Sequence, residues 1–292
     1  MEQLSFLKKR PEWIRAKASL GEGHDTVSKI LGRFDLTSVC MDAACPNRGE
    51  CWDKKHVTFM VLGRNCTRGC SFCNIPGRNP ETPDPSEPGK VAAAVAALGL
   101  EYAVITSVTR DDLEDKGAGH FVETVIEIRE MSPSTKVELL IPDMDADASL
   151  VKSIALSGAD VIGHNIEIPE AFYEGIRPGA DYGRSLRTLS LLKTCCSPGT
   201  MVKSAIILGM GESQGDVVNT MTDLRASGVD ILYLGQYLRP SIHHYPVKKF
   251  YTPQEFGVFS GKAEEMGFKA VLAGPMVRSS YRAYESYIAA SQ

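Results

Sequence analysis

The chain has 292 residues, 43% of them hydrophobic and 23% charged, with a formal net charge of −4. That composition is ordinary for a soluble globular protein, and the length suffices for one large α/β domain or two small ones. No run of about 18 uninterrupted apolar residues is present, so no membrane span is expected. No basic stripe is visible either, which argues against nucleic-acid binding; the short runs Lys8-Lys9-Arg10 and Lys248-Lys249 read as solvated faces. The opening MEQLSFLKKRPEW has neither an apolar signal core nor an Arg-rich, acid-poor transit pattern, so a cytoplasmic protein is expected.

In chain order, residues 1–55 carry little strand signal. LGEGHDTVSKILGRF reads as one helix, with Asp25 or Thr26 able to cap it. Apolar, β-branched runs then alternate with helical patterns, and Gly or Pro marks the joints. The strands expected are Val57–Leu62, Tyr102–Val108, Val137–Ile141, Val161–Glu167, Met201–Leu208 and Ile231–Leu238. Between them lie helix-like stretches: PSEPGKVAAAVAALGL, with Ser86 before its Ala-rich face and a stop at Gly99, then residues 117–131, 146–157, 181–195 and 214–227. A helix over 253–266 leads to a seventh apolar run, Phe268–Ala273, and Gly274-Pro275 turns the chain at its end.

Six βα units in series predict parallel strands with crossover helices, hence a partial (β/α)6 TIM-type barrel. LGMGES has glycines at the wrong spacing and place for a dinucleotide site. The expected division is an N-terminal extension over 1–55, the barrel over 56–240 and a C-terminal extension over 241–292, forming one structural unit.

Six of the eight cysteines fall between Cys40 and Cys73; the others, Cys195 and Cys196, are adjacent and read as buried structural thiols. Clustered cysteines in a reducing compartment point to metal binding or catalysis. Cys66, Cys70 and Cys73 are spaced C-x3-C-x2-C, directly after the first expected strand, where a barrel gathers its chemistry. Thiolates select zinc, copper(I) or iron–sulfur clusters. A structural zinc site takes four ligands, and three cysteines on a cubane leave one iron open, the mark of a catalytic site.

With Phe72 before the last cysteine, this loop resembles the signature of the radical S-adenosylmethionine (SAM) enzymes. The resemblance implies that a [4Fe-4S] cluster on Cys66, Cys70 and Cys73 chelates SAM and cleaves it to a 5′-deoxyadenosyl radical. In place of the superfamily's Gly-Gly-Glu-like stretch stands TSVTRDDLEDKGAGH, so SAM contacts are not assigned by motif. Ser107, Asn165, Glu167 and Arg184 are polar candidates near strand ends.

The other triplet, Cys40, Cys45 and Cys51, has spacing C-x4-C-x5-C and is not a copy of the first; alone, it also suits a zinc site with a remote ligand. CMDAACPNRGECW followed by FMVLGRNCTRGCSFC is similar to the lipoyl synthases. The likeness continues through VELLIPD, GHNIE, RPGADYGRSL, VDILYLGQYLRPS, GFKAVLAGP and VRSSY, over about residues 11–282. It implies an auxiliary [4Fe-4S] cluster on Cys40, Cys45 and Cys51, with Ser280 of the RSSY motif as fourth ligand. Read without the family, Ser279 or Ser280 would simply cap the helix YRAYESYIAA. Arg278 is placed to offer planar donors to a carboxylate or a SAM group. Thr109 and Arg282 stand where many relatives have Asp and His.

The implied reaction inserts two sulfur atoms at C6 and C8 of a protein-bound N6-octanoyl-lysine, with the auxiliary cluster as sulfur source. Implied partners are an octanoylated lipoyl carrier domain (a 2-oxoacid dehydrogenase E2 subunit or the glycine-cleavage H protein), an electron donor such as ferredoxin or flavodoxin, and an iron–sulfur cluster carrier. The alternatives are another radical SAM sulfur-inserting enzyme, of the biotin-synthase kind or acting on tRNA, and a non-enzymatic two-cluster electron carrier. The first alternative's tRNA form needs nucleic-acid-binding domains, and the second needs neither an open iron nor a barrel.

Overall fold

A computed structural model describes residues 10–16 and 21–292; the Lys8-Lys9 part of the first basic run lies outside these. Eight strands form one sheet in sequential order: β1 (Thr37–Ser38), β2 (Thr58–Val61), β3 (Tyr102–Ser107), β4 (Lys136–Leu140), β5 (Val161–Gly163), β6 (Met201–Leu208), β7 (Ile231–Gln236) and β8 (Ala270–Gly274). β1 pairs antiparallel with β2 and every later pairing is parallel, and no pairing joins β8 back to β1. The result is an open, barrel-like α/β sheet with helices between the strands. All six expected strands are present, and the seventh apolar run extends the sheet as β8.

The two-residue β1 is an addition that its short, unperiodic sequence does not signal. β5 stops at Gly163, short of the expected Glu167, because Glu167 takes a left-handed backbone (φ 66°) and meets the sheet again only through an isolated bridge to Ile206. β2, β6 and β7 are buried on both faces, as parallel strands under helices must be, whereas β8 at the sheet's edge is half-buried throughout.

Local sequence sets the helix ends. Ser213 with Asp216 and Thr252 with Glu255 form reciprocal capping boxes that start Gln214–Ala226 and Pro253–Glu265. Gly99 stops Glu87–Leu98 in the left-handed region (φ 62°). Ser86 precedes that helix but donates its hydroxyl to Asp84 at 2.6 Å and makes no cap hydrogen bond. Helix Glu22–Phe34 begins at Gly21, before the expected Asp25 or Thr26 cap; the Thr26 hydroxyl bonds the Glu22 carbonyl from inside the first turn. Cys195 and Cys196 end helix Tyr182–Cys195 half-buried, not buried, with burial pushing the Cys196 thiol up to about 11. Lys249 is no free solvated charge, since it pairs with Glu255 at 2.6 Å.

The barrel interior holds a buried ion pair. Lys203 on β6 reaches Glu138 on β4 at 2.7 Å, both side chains being 3% exposed. Tyr102 donates to the other Glu138 oxygen at 2.7 Å, and the Lys203 ammonium lies 4.0 Å from the Tyr233 ring centroid. The C-terminal helix Ala283–Ala290 packs against the first residues of β5, β6 and β7. Ser286 accepts from the Tyr233 hydroxyl at 2.7 Å, and Tyr284 stacks on Tyr102. The chain's C-terminus thereby plugs the barrel at the N-terminal ends of its strands. Among the described residues, no helix is long and apolar enough to cross a membrane.

Because a buried charge stripped of its partner is costly, Lys203→Met should lower stability by about 3–5 kcal/mol. Lys203→Met combined with Glu138→Leu should recover much of that loss, the remainder being the unpaired Tyr102 hydroxyl. Anaerobic denaturant titrations of the three proteins check this; a double variant as weak as the single one contradicts it.

Candidate active site and metal centres

β2 delivers the first cysteine loop. Leu62 and Gly63 take left-handed backbone (φ 67° and 91°) and lead the chain off the sheet at the strand's C-terminal end. Glu87 fixes this exit, accepting from the Leu62 N–H at 2.8 Å and lying 2.7 Å from the His120 ring nitrogen. The loop then closes on itself: Cys66 N–H donates to the Pro76 carbonyl at 2.9 Å, and Arg78 N–H to the Cys66 carbonyl at 3.1 Å. The enclosed lobe carries Cys66, Cys70 and Cys73.

Backbone donors face the sulfurs. Arg68 N–H lies 3.3 Å from Cys66 Sγ and Ile75 N–H 3.5 Å from Cys73 Sγ, contacts that favour a negatively charged or metal-bound sulfur. Ser71 N–H donates to the Ile176 carbonyl, Tyr245 N–H to the Ser71 carbonyl, each at 2.8 Å, and a His244 ring nitrogen lies 3.1 Å from the Cys73 carbonyl. Burial raises the Cys70 and Cys73 thiols, Cys73 to about 12, so neither is a thiolate at neutral pH unless a cation binds its sulfur.

Arg68 anchors the lobe to the barrel. Its guanidinium meets Asp111 at 2.9 and 2.8 Å and Asp143 at 2.7 and 2.9 Å, two forked ion pairs on one buried side chain. Burial alone would raise the Asp143 carboxyl, yet the Arg68 hydrogen bonds, with His164 and Arg184 nearby, hold it well below the usual carboxylate range. Thus the segment TSVTRDDLEDKGAGH, which departs from the Gly-Gly-Glu pattern, supplies Asp111 as an anchor for the cysteine loop, and Thr109 serves through its carbonyl, accepting from Thr67.

The four polar candidates separate. Asn165 and Glu167 share a cavity of about 220 Å³ with Cys73 and Phe72, at the C-terminal ends of the strands. Asn165 donates to Glu167 at 3.1 Å, and burial raises the Glu167 carboxyl while nearby Arg177 and that hydrogen bond oppose it. Ser107 ends β3 beside Val61, and its buried hydroxyl has no partner among the described residues. Arg184 does not face this cavity; it is engaged with Asp143 at 3.1 Å and Asp145 at 3.4 Å, behind Arg68.

Two groups the sequence analysis did not single out stand beside them. Arg177 bonds the Ile166 carbonyl at 3.2 Å and the Tyr173 hydroxyl at 2.8 Å, with Glu167 and Cys70 as electrostatic neighbours. His164 is buried, with Nδ1 2.9 Å from the Ile141 carbonyl and Nε2 without a partner. Burial and Arg177 push His164 down to about 4, so it is neutral at physiological pH. Both lie in the GHNIE and RPGADYGRSL stretches; a His or Arg beside the end of a buried strand was the available signal.

The second triplet occupies the open side of the sheet. Cys40, Cys45 and Cys51 line one cavity with Thr58, Arg278 and Ser280. Ser280 accepts a hydrogen bond from Thr58 at the start of β2 (2.8 Å), and Asn47 donates to the Met276 carbonyl at 2.6 Å. The helix-cap alternative for Ser279 or Ser280 fails: helix Ala283–Ala290 starts at Arg282, whose left-handed backbone (φ 50°) stands in the capping position without a side-chain cap. Burial pushes the Cys51 thiol up to about 12, with Cys45 and Cys40 adding to the rise. Asn74 of the first loop donates to the Asp42 carbonyl of the second at 2.7 Å, so the two triplets are in direct register.

Three thiols in each triplet, with a serine oxygen beside the second, are donors of the kind that hold iron–sulfur clusters. Among the described residues, no three His, Cys, Asp or Glu side chains converge as one metal ion would require. Cys73 of the first triplet lines one cavity, and all three cysteines of the second line another with the Ser280 oxygen beside them.

The Radical SAM superfamily profile matches residues 60–224. A mitochondrial lipoyl synthase of Populus trichocarpa is 46% identical over 286 residues, covering 96% of this chain and 74% of that protein. A lipoyl synthase of Rubrobacter xylanophilus is 45% identical over 276 residues, covering 94% of this chain and 86% of that one. Among solved structures, methylornithine synthase superposes with a TM-score of 0.58 at 15% identity, over 73% of this chain and 63% of its own. SuiB of Streptococcus suis bound to S-adenosylmethionine gives 0.57 at 12% identity, over 77% and 51%. These two likenesses bear on the fold alone. The chain belongs to the radical SAM superfamily and, within it, to the lipoyl synthases.

Proposed function

We propose that this chain makes lipoyl groups by inserting two sulfur atoms at C6 and C8 of a protein-bound N6-octanoyl-lysine. The observation that carries the reading is the meeting of Cys40, Cys45, Cys51 and Ser280 around one cavity, across a separation of 229 residues between Cys51 and Ser280 in the chain. A second cavity, of about 330 Å³, runs past Cys40, Cys45 and Ser280 and shares Ala43, Leu238, Pro240, Arg278 and Ser279 with the cavity at Cys73. The two cavities adjoin along these residues, which supports a path for an alkyl chain between Cys73 and the second triplet.

In this reading Cys66, Cys70 and Cys73 hold a [4Fe-4S] cluster with an open iron. Asn165, Glu167 and Ser107 face the SAM that it binds. That bound SAM supplies a 5′-deoxyadenosyl radical, needed because no side-chain acid or base removes hydrogen from an unactivated carbon. The remaining work is done by the chain: Arg68 fixes the cysteine lobe, the enclosed cavity excludes water, and the Asn74–Asp42 contact sets the distance between the centres. Two SAM are used per lipoyl group, one for each C–H bond. Arg184 acts as a support for Asp143.

Cys40, Cys45, Cys51 and Ser280 hold the auxiliary [4Fe-4S] cluster, which is the sulfur substrate. A hard serine oxygen is a poor match for iron among soft sulfides and releases more easily than a thiolate, as a cluster that is consumed requires. Residues 1–55, 56–240 and 241–292 act as one unit; the Trp13–Tyr251, Asn47–Met276 and Thr58–Ser280 hydrogen bonds that join them support this.

The substrate is carried on a 2-oxoacid dehydrogenase E2 subunit or a glycine-cleavage H protein. An electron donor such as ferredoxin or flavodoxin and an iron–sulfur carrier meet the chemical needs of reduction and cluster renewal. Cytoplasmic residence belongs to the same reading. Its support is the eight unpaired cysteines, which fit a reducing compartment, although the plant relatives are mitochondrial.

The two triplets should separate by function. Cys70→Ala should abolish 5′-deoxyadenosine formation. Cys45→Ala should keep it while ending lipoyl formation, with iron falling from about eight to about four per chain on four-iron cluster stoichiometry. Product chromatography and iron analysis of anaerobically reconstituted protein check this; equal loss of SAM cleavage in both folded variants contradicts it.

The serine ligand makes a sharper prediction. Ser280→Ala should cleave SAM within about a factor of three of the parent, a change under ~1 kcal/mol, yet form no lipoyl product. Ser280→Cys should hold the auxiliary cluster more firmly and also lose sulfur transfer, whereas Ser279→Ala should be much milder. Full lipoyl formation by Ser280→Ala in an octanoyl-lysyl peptide assay would remove Ser280 from the ligand set.

A further inference from the structure

Arg278 stands two residues before Ser280 and lines three cavities that share wall residues: the one holding Cys40, Cys45 and Cys51, the one at Cys73 and Glu167, and one beside both. The side chain is half-buried among them. Its guanidinium donates to the neighbouring Val277 carbonyl at 2.6 Å, and no carboxylate pairs with it among the described residues. Arg68 is matched by Asp111 and Asp143, Arg110 by Asp112, Arg129 by Asp160 and Arg184 by Asp143, while Arg177, which has no ion pair among the described residues either, keeps Glu167 as an electrostatic neighbour.

A guanidinium enclosed without a carboxylate is costly unless another anion faces it. Cys40, Cys45 and Cys51 line the same cavity as Arg278, so their sulfurs, once iron-bound, would supply one.

The backbone is built to put Arg278 there. A Cβ at Gly235 on β7 would lie 2.2 Å from the Val277 carbonyl oxygen and 3.6 Å from an Arg278 guanidinium nitrogen. Only glycine at that place lets the loop settle onto the strand. Behind it, Asn47 holds the Met276 carbonyl and Thr58 holds Ser280.

We propose that Arg278 is a positioning residue that acts as the counter-charge of the auxiliary site, stabilising the anionic set of three thiolates and one serine oxygen with its iron bound. The inference rests on the ligand reading given under Proposed function and deepens it. A fixed positive charge beside an iron–sulfur centre favours retention of the anionic assembly and its more reduced state. It also gives the RSSY arginine a role separate from SAM binding.

The test uses the full chain carrying Cys70→Ala, in which only the auxiliary site assembles. Arg278→Met and Arg278→Lys are added to it, and each protein is reconstituted anaerobically. Arg278→Met should shift the reduction potential, followed by EPR-monitored redox titration, to more negative values, and should speed iron loss to a chelator by about tenfold, the usual cost of removing a supporting partner of a metal site. Arg278→Lys should restore most of both. With Cys70 intact, Arg278→Met should cleave SAM with an unchanged KM for SAM.

Unchanged potential and iron retention in Arg278→Met overturn the proposal. So does a raised KM for SAM, which would assign the guanidinium to the SAM carboxylate. If Arg278→Met takes up no iron, Arg278→Lys decides: restored uptake supports the counter-charge, and none overturns it. If the Cys70→Ala parent itself binds no iron, the ligand reading has failed and Arg278 loses its role with it.

Discussion

The hydrogen bond from Thr58 to Ser280, 2.8 Å long, joins positions 222 residues apart and sets the place where the chain's two ends meet. The sheet makes this meeting necessary. Its β8 edge never closes onto β1, so the flank of the barrel must be filled by other chain. The segment Cys40–Cys51 fills it from one side and Pro275–Tyr281 from the other, with Asn47 and Gly235 fitting the two to each other and to β7. A closed barrel would bury the same strands but leave no opening into which a second cysteine triplet could face the first.

Electrostatics divides the interior into two regimes. At the first loop the anchoring charges are paired: Arg68 by two aspartates, Asp143 in turn by Arg184, with Thr188 on its backbone carbonyl. That frame holds the cysteine lobe rigid and costs little to maintain, since its charges pair in forked geometry. At the second site one guanidinium, Arg278, has no carboxylate partner among the described residues, and burial raises the Cys45 and Cys51 thiols as it raises Cys70 and Cys73 at the first. On the reading proposed above, a cationic core bound to those sulfurs would couple metal binding to local folding there.

Much of this was legible in the sequence. The rhythm of apolar runs and capped helices marked all six core strands and their parallel order, because parallel strands covered by helices leave continuous apolar stretches. The C-x3-C-x2-C loop marked the first site, since its function is encoded locally. Glu167 shows where periodicity misleads: VIGHNIE reads as one strand, but the backbone leaves the sheet after Gly163 to aim Asn165 and Glu167 into the mouth. Arg184 looked like a ligand-facing cation and proved to be a support for Asp143, because pairing across a fold is invisible in linear sequence. The Thr26 and Ser86 caps failed for a simpler reason: both hydroxyls had a nearer acceptor in their own turn or loop. Ser280 was reached only through family likeness, since local chemistry offers a helix cap there and nothing in the spacing reveals Thr58.

The account turns on sulfur leaving the protein itself. Protein reconstituted with ³⁴S-sulfide, freed of unbound sulfide and given one round of SAM, reductant and octanoyl-lysyl peptide in unlabelled buffer tests that directly by mass spectrometry of the lipoyl peptide. The account predicts that both inserted sulfurs are ³⁴S and that the yield stays below one lipoyl group per chain until the auxiliary site is rebuilt. Unlabelled product, or continued turnover without iron and sulfide, would contradict it.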